Sequence, residues 1–331
     1  MRRPALRPSS ALALLALVAI AVSPSILTEP QQSLVTRALI FALLAASLDI
    51  AYGHAGLASL GHSAIAGVGG YTVGLLMVEH GVQSFWLGAG AAIVASATAA
   101  GIMALLALRA RGLYFILATF ALGQMLSNLA QQWDALKTSY AEAVVGITLP
   151  TLGLGEDWTT TSFLRFVLVV VAIALFCIRR ILGSAFGLAI RGVRDNETRM
   201  EALGYHAWRY RVAALVVSGA FAGLGGALFA YHGGIMTPSN IGISASGMLV
   251  LMVIFGGSGT TYGPAIGGFL ITLVEFYASE WSELRSPLIV GGLFIVTALF
   301  IRGGLAGTAA RLRRRFANRR SGGAAAAEAT R

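Results

Sequence analysis

Residues 161–178 read TSFLRFVLVVVAIALFCI, and residues 179–209, which follow directly, read RRILGSAFGLAIRGVRDNETRMEALGYHAWR. The first stretch carries one charge, Arg165, in eighteen residues. A helix rises about 1.5 Å per residue, so roughly 20 apolar residues cross the hydrocarbon of a bilayer. The second stretch is rich in arginine and mixes it with acids, as a segment standing in water does. An apolar span that ends abruptly in a basic segment marks a membrane boundary.

The same alternation runs along the chain. Apolar segments lie at 11–28, 33–53, 57–79, 85–108, 112–132, 161–178, 210–232, 244–257, 262–279 and 287–301. Only 11% of the 331 residues are charged and 56% are hydrophobic, whereas a soluble domain carries about 25% charge because its outside meets water. Helices and closed barrels alone satisfy every backbone group in lipid. Alternating ten-residue strands are absent, so the expected fold is all-α: a polytopic integral membrane protein of about ten transmembrane helices. The segment 11–28 follows Arg2, Arg3 and Arg7 like a signal peptide, but Pro24 and the continuing Ile26-Leu27 favour a retained helix.

Charge placement gives the expected orientation. With ten helices and both termini cytoplasmic, all but four of the 24 basic residues fall on the inner side, the exceptions being Arg37, Lys137, Arg165 and Arg285. That is the positive-inside pattern, and a shift of one helix would put Arg109 and Arg111, or the arginines from Arg179 to Arg211, on the wrong side. Residues 1–310 are read as the membrane domain with 179–209 as its long cytoplasmic segment. Residues 311–331 are read as a basic, then Ala/Gly-rich tail, expected to be disordered near anionic headgroups.

Several functions are excluded or left without residues. The net charge of +10 follows the loops rather than one soluble face, so it points to the bilayer and not to nucleic acid. Lys137 is the single lysine, and a phosphate-binding P-loop needs one in the pattern G-x-x-x-x-G-K-[ST]. The run Gly256-Gly257-Ser258-Gly259 lies between two apolar segments and reads as a tight reversal. His54 and His62 are joined by no carboxylate or thiolate in the pattern and read as packing or interhelical hydrogen bonds, not a metal site. Cys177 has no partner for a disulfide. No catalytic residues, metal or cofactor are expected.

Glycine and acid placement points to a transport pathway. Residues 53–74 hold Gly53, Gly56, Gly61, Gly67, Gly69, Gly70 and Gly74 among Ser59, His62, Ser63, Tyr71 and Thr72. Transporters place sites at broken helices of this composition, where freed backbone groups meet the cargo; close packing is the alternative. Gly219, Gly223, Gly225 and Gly226 read as helix packing. Asp49 and Glu275 fall within apolar segments, where an acid is costly and a candidate for function; lying near helix ends in contact with water is the alternative for both.

Together these stretches resemble the permease subunits of branched-chain amino acid ABC importers, of the LivM type. The likeness is carried by GHAGLASLGHSA at 53–64, GLYFILAT at 112–119, GSAFGLAIRGVRDNE at 183–197 with Ala202-Leu203-Gly204-Tyr205, and FGGSGT at 255–260 with Gly263-Pro264. It implies a bacterial plasma (inner) membrane location. It also implies a second permease of the LivH type, two cytoplasmic ATPase subunits that hydrolyse ATP, and an extracytoplasmic substrate-binding protein. From the glycine and acid placement and these motifs, Ser59, Gly61, His62, Tyr71, Thr119 and Glu275 are expected along the substrate pathway. Gly187, Arg191, Arg194, Asp195, Asn196, Glu197, Leu203 and Gly204 are expected at the ATPase coupling segment. Residues 138–146, TSYAEAVVG, depart from the family's Thr-Gly-Gly run, which opens urea and short amides as cargo beside small hydrophobic amino acids. An ion-coupled secondary transporter using Glu275 or Asp49 is the rival class.

Overall fold

The computed structural model describes residues 27–133, 143–151, 158–260 and 262–281, with a few further positions up to 308. Residues 11–26 of the expected first segment, the tail, 311–331, and most of 287–301 lie outside the described residues.

Helix α1, Glu29–Asp49, continues through a π-helical turn, Ile50–His54, as one 26-residue rod. It begins at Thr28, whose N–H donates to Gln31 Oε1 at 3.1 Å, with Pro30 in the first turn, where its missing N–H costs nothing. Then follow α2 (His62–Val78), α3 (Phe85–Ala107), α4 (Leu113–Gln132) and α5 (Thr160–Leu182). Two shorter helices, α6 (Ala185–Asp195) and α7 (Glu197–Ala202), precede the long α8 (Ala207–Gly233). A 3-10 turn, Pro238–Ile241, leads into α9 (Ile243–Gly256) and α10 (Gly263–Trp281). A two-residue antiparallel pair joins β1 (Val144–Val145) to β2 (Ile235–Met236).

Among the described residues five helices are long and apolar enough to cross a membrane: α1 with its π-turn, α3, α4, α5 and α8. The chain is a mostly helical, polytopic membrane protein. The helices α2 and α9, of 17 and 14 residues, are shorter than a span of about 20 residues.

Helix α8 holds the bundle together, packing on α1, α2 and α3. In lipid no hydrophobic force drives helices together, so close backbone approach does it instead. A Cβ at Gly219 or Gly223 would strike Ala100, Ala92 and Ser96 of α3; one at Gly226 would strike the Ala66 carbonyl of α2; one at Gly225 would meet Leu44 of α1. These four glycines are therefore packing positions, as their spacing predicts. On α3 the buried side is small (Ala92, Ser96, Ala100) and the exposed side large (Val94, Ile102, Leu105), an arrangement that suits a lipid-facing surface.

Loops sorted by charge in the sequence also meet in space. At the arginine-poor end, Ser33 Oγ lies 3.4 Å from His232 Nε2, Thr161 donates to Gln32 at 2.8 Å, and Ser84 pairs with Thr151. At the other end Arg179 donates to the Tyr262 hydroxyl at 2.6 Å, and Arg194 and Glu197 make the contacts described below.

Candidate translocation cavity and arginine-rich end

The glycine-rich run meets both readings open to it: the chain breaks before His62, while Gly67, Gly69, Gly70 and Gly74 lie at close contacts within α2. Residues 55–61 are not helical, Gly56 takes φ +73°, and α2 starts afresh at His62. The break is satisfied from within. The Leu60 N–H donates to Thr119 Oγ1 at 3.2 Å and the Gly61 N–H to Ser59 Oγ at 3.2 Å. His62 Nε2 lies 2.9 Å from Ser47 Oγ, the interhelical hydrogen bond expected for this histidine. A Cβ on Gly61 would strike the Thr119 carbonyl, so α4 closes on the break only because residue 61 has no side chain.

The first turns of the two short helices meet. Ser63 Oγ lies 2.5 Å from Ser246 Oγ and donates to the Ile241 carbonyl at 2.9 Å, while the Ser63 N–H donates to Ser246 Oγ at 3.2 Å. Both helices thus begin inside the bundle with their positive ends close together. A cavity of about 580 Å³ opens beside them. Ser63 and Gly67 of α2 line it together with Ser244 and Met248 of α9, Phe229 of α8 and Arg37 and Phe41 of α1. Glu275 of α10 completes the wall and lies 3.6 Å from Arg37.

Of the pathway residues named from the sequence, Glu275 faces this cavity. Ser59, Gly61, His62 and Thr119 lie behind it, buried, where they hold the break closed. Tyr71 is buried two turns further along α2, its hydroxyl unpartnered among the described residues. Sequence reading missed Arg37 as a site residue, because one arginine early in an apolar helix looks like a boundary charge. The departure at 138–146 falls mostly outside the described residues.

At the arginine-rich end α6 folds back on α5. Gly187 packs on the Leu182 carbonyl, which also accepts from Arg191 Nη1 at 3.1 Å. Arg194 Nη1 donates to the Gly53 carbonyl in the π-turn of α1. Beside it Asp49 Oδ1 accepts the Gly259 N–H at 2.8 Å, and Asp49 Oδ2 lies 3.2 Å from His54 Nδ1. Asp49 is thus buried and fully engaged, not in contact with water, and a carboxylate does reach His54. The turn that supplies Gly259 is the expected tight reversal, with positive φ at Gly257 and Gly259. A residue with a side chain would be strained there.

The rest of the segment divides into inward and outward residues. Asn196 caps α7 by accepting the Arg199 N–H at 2.9 Å. Glu197 accepts from both Arg211 Nη atoms at 3.0 Å, a two-pronged pair, and lies 3.9 Å from Arg111. Asp195 and Gly204 are exposed, Gly204 at φ +88°. Leu188, Leu203, Tyr205 and Trp208 are exposed apolar side chains on the same segment.

The sequence profile of the family described as branched-chain amino acid transport system, permease component, matches residues 32–301. The chain belongs to this family. The permease is also similar to the high-affinity branched-chain amino acid transport permease protein LivM of Salmonella typhimurium and to that of Escherichia coli. Each is 28% identical over 316 residues, covering 88% of this permease and 74% of the relative. A shorter likeness, 36% over 73 residues and 22% of each chain, joins it to the nucleoside ABC transporter permease protein NupC of Lactococcus lactis. No solved structure matches the permease.

Proposed function

We propose that the chain is one permease subunit of an ATP-driven bacterial inner-membrane importer for branched-chain or other small hydrophobic amino acids. It would supply half of the translocation pathway. One observation carries this reading beyond family membership: a hydrogen bond ties the arginine-rich segment to the end of α1, which leads into the broken helix. From α6 the connection runs through Arg194 to Gly53, at the end of α1, and on through residues 55–61 to α2, whose first turns line the cavity. A movement of α6 and α7 is thereby felt at the pathway. The name of the Lactococcus lactis relative, an ABC transporter permease, together with the exposed Leu188, Leu203, Tyr205 and Trp208, supports partner ATPases that grip this segment from the cytoplasm.

The orientation follows the positive-inside pattern, with ten helices and both termini in the cytoplasm. Cargo arrives from an extracytoplasmic binding protein and crosses beside a second permease of the LivH type. The intramembrane acids need no ion coupling in this reading, since Asp49 is engaged by His54 and Gly259 and Glu275 faces Arg37.

Reconstitution tests it. In proteoliposomes holding this chain, its partner permease and the ATPases, leucine uptake is expected only with ATP and the binding protein both present. Uptake by this chain alone, driven by an ion gradient without ATP, would overturn the proposal in favour of a secondary transporter.

A further inference from the structure

Family membership leaves the chemistry of the cargo open, and the cavity narrows it. Among the described residues that line it, Arg37 and Glu275 are the charged ones. They are brought together by a backbone contact. A Cβ at Gly268 would strike the Phe41 carbonyl and Ala42 Cα, so α10 lies close along α1. Arg37, one turn before Phe41, then meets Glu275, two turns beyond Gly268.

The pair is not closed on itself. Arg37 Nη2 and Glu275 Oε2 are 3.6 Å apart, longer than the ~2.7–2.9 Å of a charge-assisted hydrogen bond. The side chains remain 42% and 34% exposed, and both residues line the cavity. Among the described residues Arg37 Nε is enclosed without a hydrogen-bond partner, a rare and costly condition for a donor. Beside the pair the wall turns apolar: Phe41 packs edge-on to Phe229 at 5.9 Å, with Met236 and Met248 alongside.

We infer that Arg37 and Glu275 are the recognition pair for a zwitterionic α-amino acid. The guanidinium takes the α-carboxylate, the Glu275 carboxylate takes the α-ammonium, and an apolar side chain lies against Phe41, Phe229 and Met248. The inference rests on the permease reading above and specifies its cargo. Urea or a short amide carries neither charge, so it would leave the two ions facing only each other at 3.6 Å and offers no charged end to either.

The test uses the full complex in proteoliposomes with its binding protein, comparing wild type, Glu275→Gln, Arg37→Gln and the double variant. The probes are labelled leucine, acetamide and urea, with ATP hydrolysis followed in parallel. Leucine uptake is expected to fall about tenfold to a hundredfold in each single variant, the scale of one charged hydrogen bond. ATP hydrolysis stimulated by loaded binding protein should persist, which reports an assembled complex. The double variant separates recognition from simple ion pairing. If the two charges only neutralise each other, removing both restores uptake and overturns the inference; if each holds one end of the cargo, uptake stays low. ATP-driven uptake of acetamide or urea, unchanged by the substitutions, would also overturn it while leaving the permease reading intact. Absence of ATP-driven uptake of all three probes by the wild type would remove that reading and the subsite with it.

Discussion

The Arg194 guanidinium donates to the Gly53 carbonyl across 141 positions of sequence, pinning the arginine-rich helix α6 to the end of α1. Gly53 belongs to a π-turn, where the backbone has left the α-helical ladder and offers carbonyls to outside donors. The adjacent carboxylate of Asp49 favours a cation at that spot. Arg194 therefore ties α6 to α1, a helix that also lines the cavity.

Replacing Arg194 by Met should separate the two motions. The aliphatic stem is kept and the donor lost, a cost of about 1.5–3 kcal/mol for a charged hydrogen bond, less because the side chain is partly exposed. Fewer leucine molecules should enter per ATP hydrolysed, with hydrolysis itself retained. The ratio of uptake to phosphate release in proteoliposomes checks this.

Glu197 belongs to the segment expected at the ATPase contact, and its carboxylate faces Arg211, with both oxygens engaged at 3.0 Å. A double-mutant cycle with Glu197→Ala and Arg211→Ala should give a coupling of about 1 kcal/mol in thermal stability, between an exposed pair and a buried one. The coupling should shrink in high salt.

Leu203 is 66% exposed and Leu188 65% exposed. Leu203→Glu should leave the melting temperature of the isolated permease unchanged and should weaken co-purification with the ATPase subunits by tenfold or more. Gly204 is a poorer probe, because φ +88° strains any residue placed there.

Gly226→Ala should be severe and Gly90→Ala harmless. The added methyl of the first meets the Ala66 carbonyl, which belongs to backbone, while nothing lies within reach of the second. Overpacking costs about 1–3 kcal/mol or more, and replacing a helical glycine in open space gains about 0.5–1 kcal/mol. Melting of the detergent-solubilised protein measures both.

The sequence made some of this legible and hid the rest. The glycine run at 53–74 announced a broken helix, because each glycine both weakens a helix and admits a neighbour, and the break at 55–61 is where it was expected. Gly219, Gly223, Gly225 and Gly226 were legible as packing for the same reason. The arginine distribution sorted loops that do meet, such as 53–56 with 194 and 259. What stayed hidden were partnerships without a local signature. Asp49 is settled by a backbone N–H at residue 259, and a backbone donor leaves no trace in residue type. Arg37 and Glu275 sit in different apolar helices far apart in sequence, and their pairing depends on the approach of Gly268 to α1. Ser59 and Thr119 accept backbone N–H groups of the break and His62 meets the Ser47 hydroxyl, partnerships that residue type alone does not announce.

The account rests most directly on which side of the membrane α6 and α7 stand. With Cys177 replaced by Ser, a Leu203→Cys variant can be treated with a membrane-impermeant thiol reagent in right-side-out and in inverted vesicles. Labelling is expected in inverted vesicles alone, placing the segment where ATPases can reach it. Labelling from the exterior of right-side-out vesicles would contradict the account, since no ATP-driven partner could then hold the segment that Arg194 ties to the pathway.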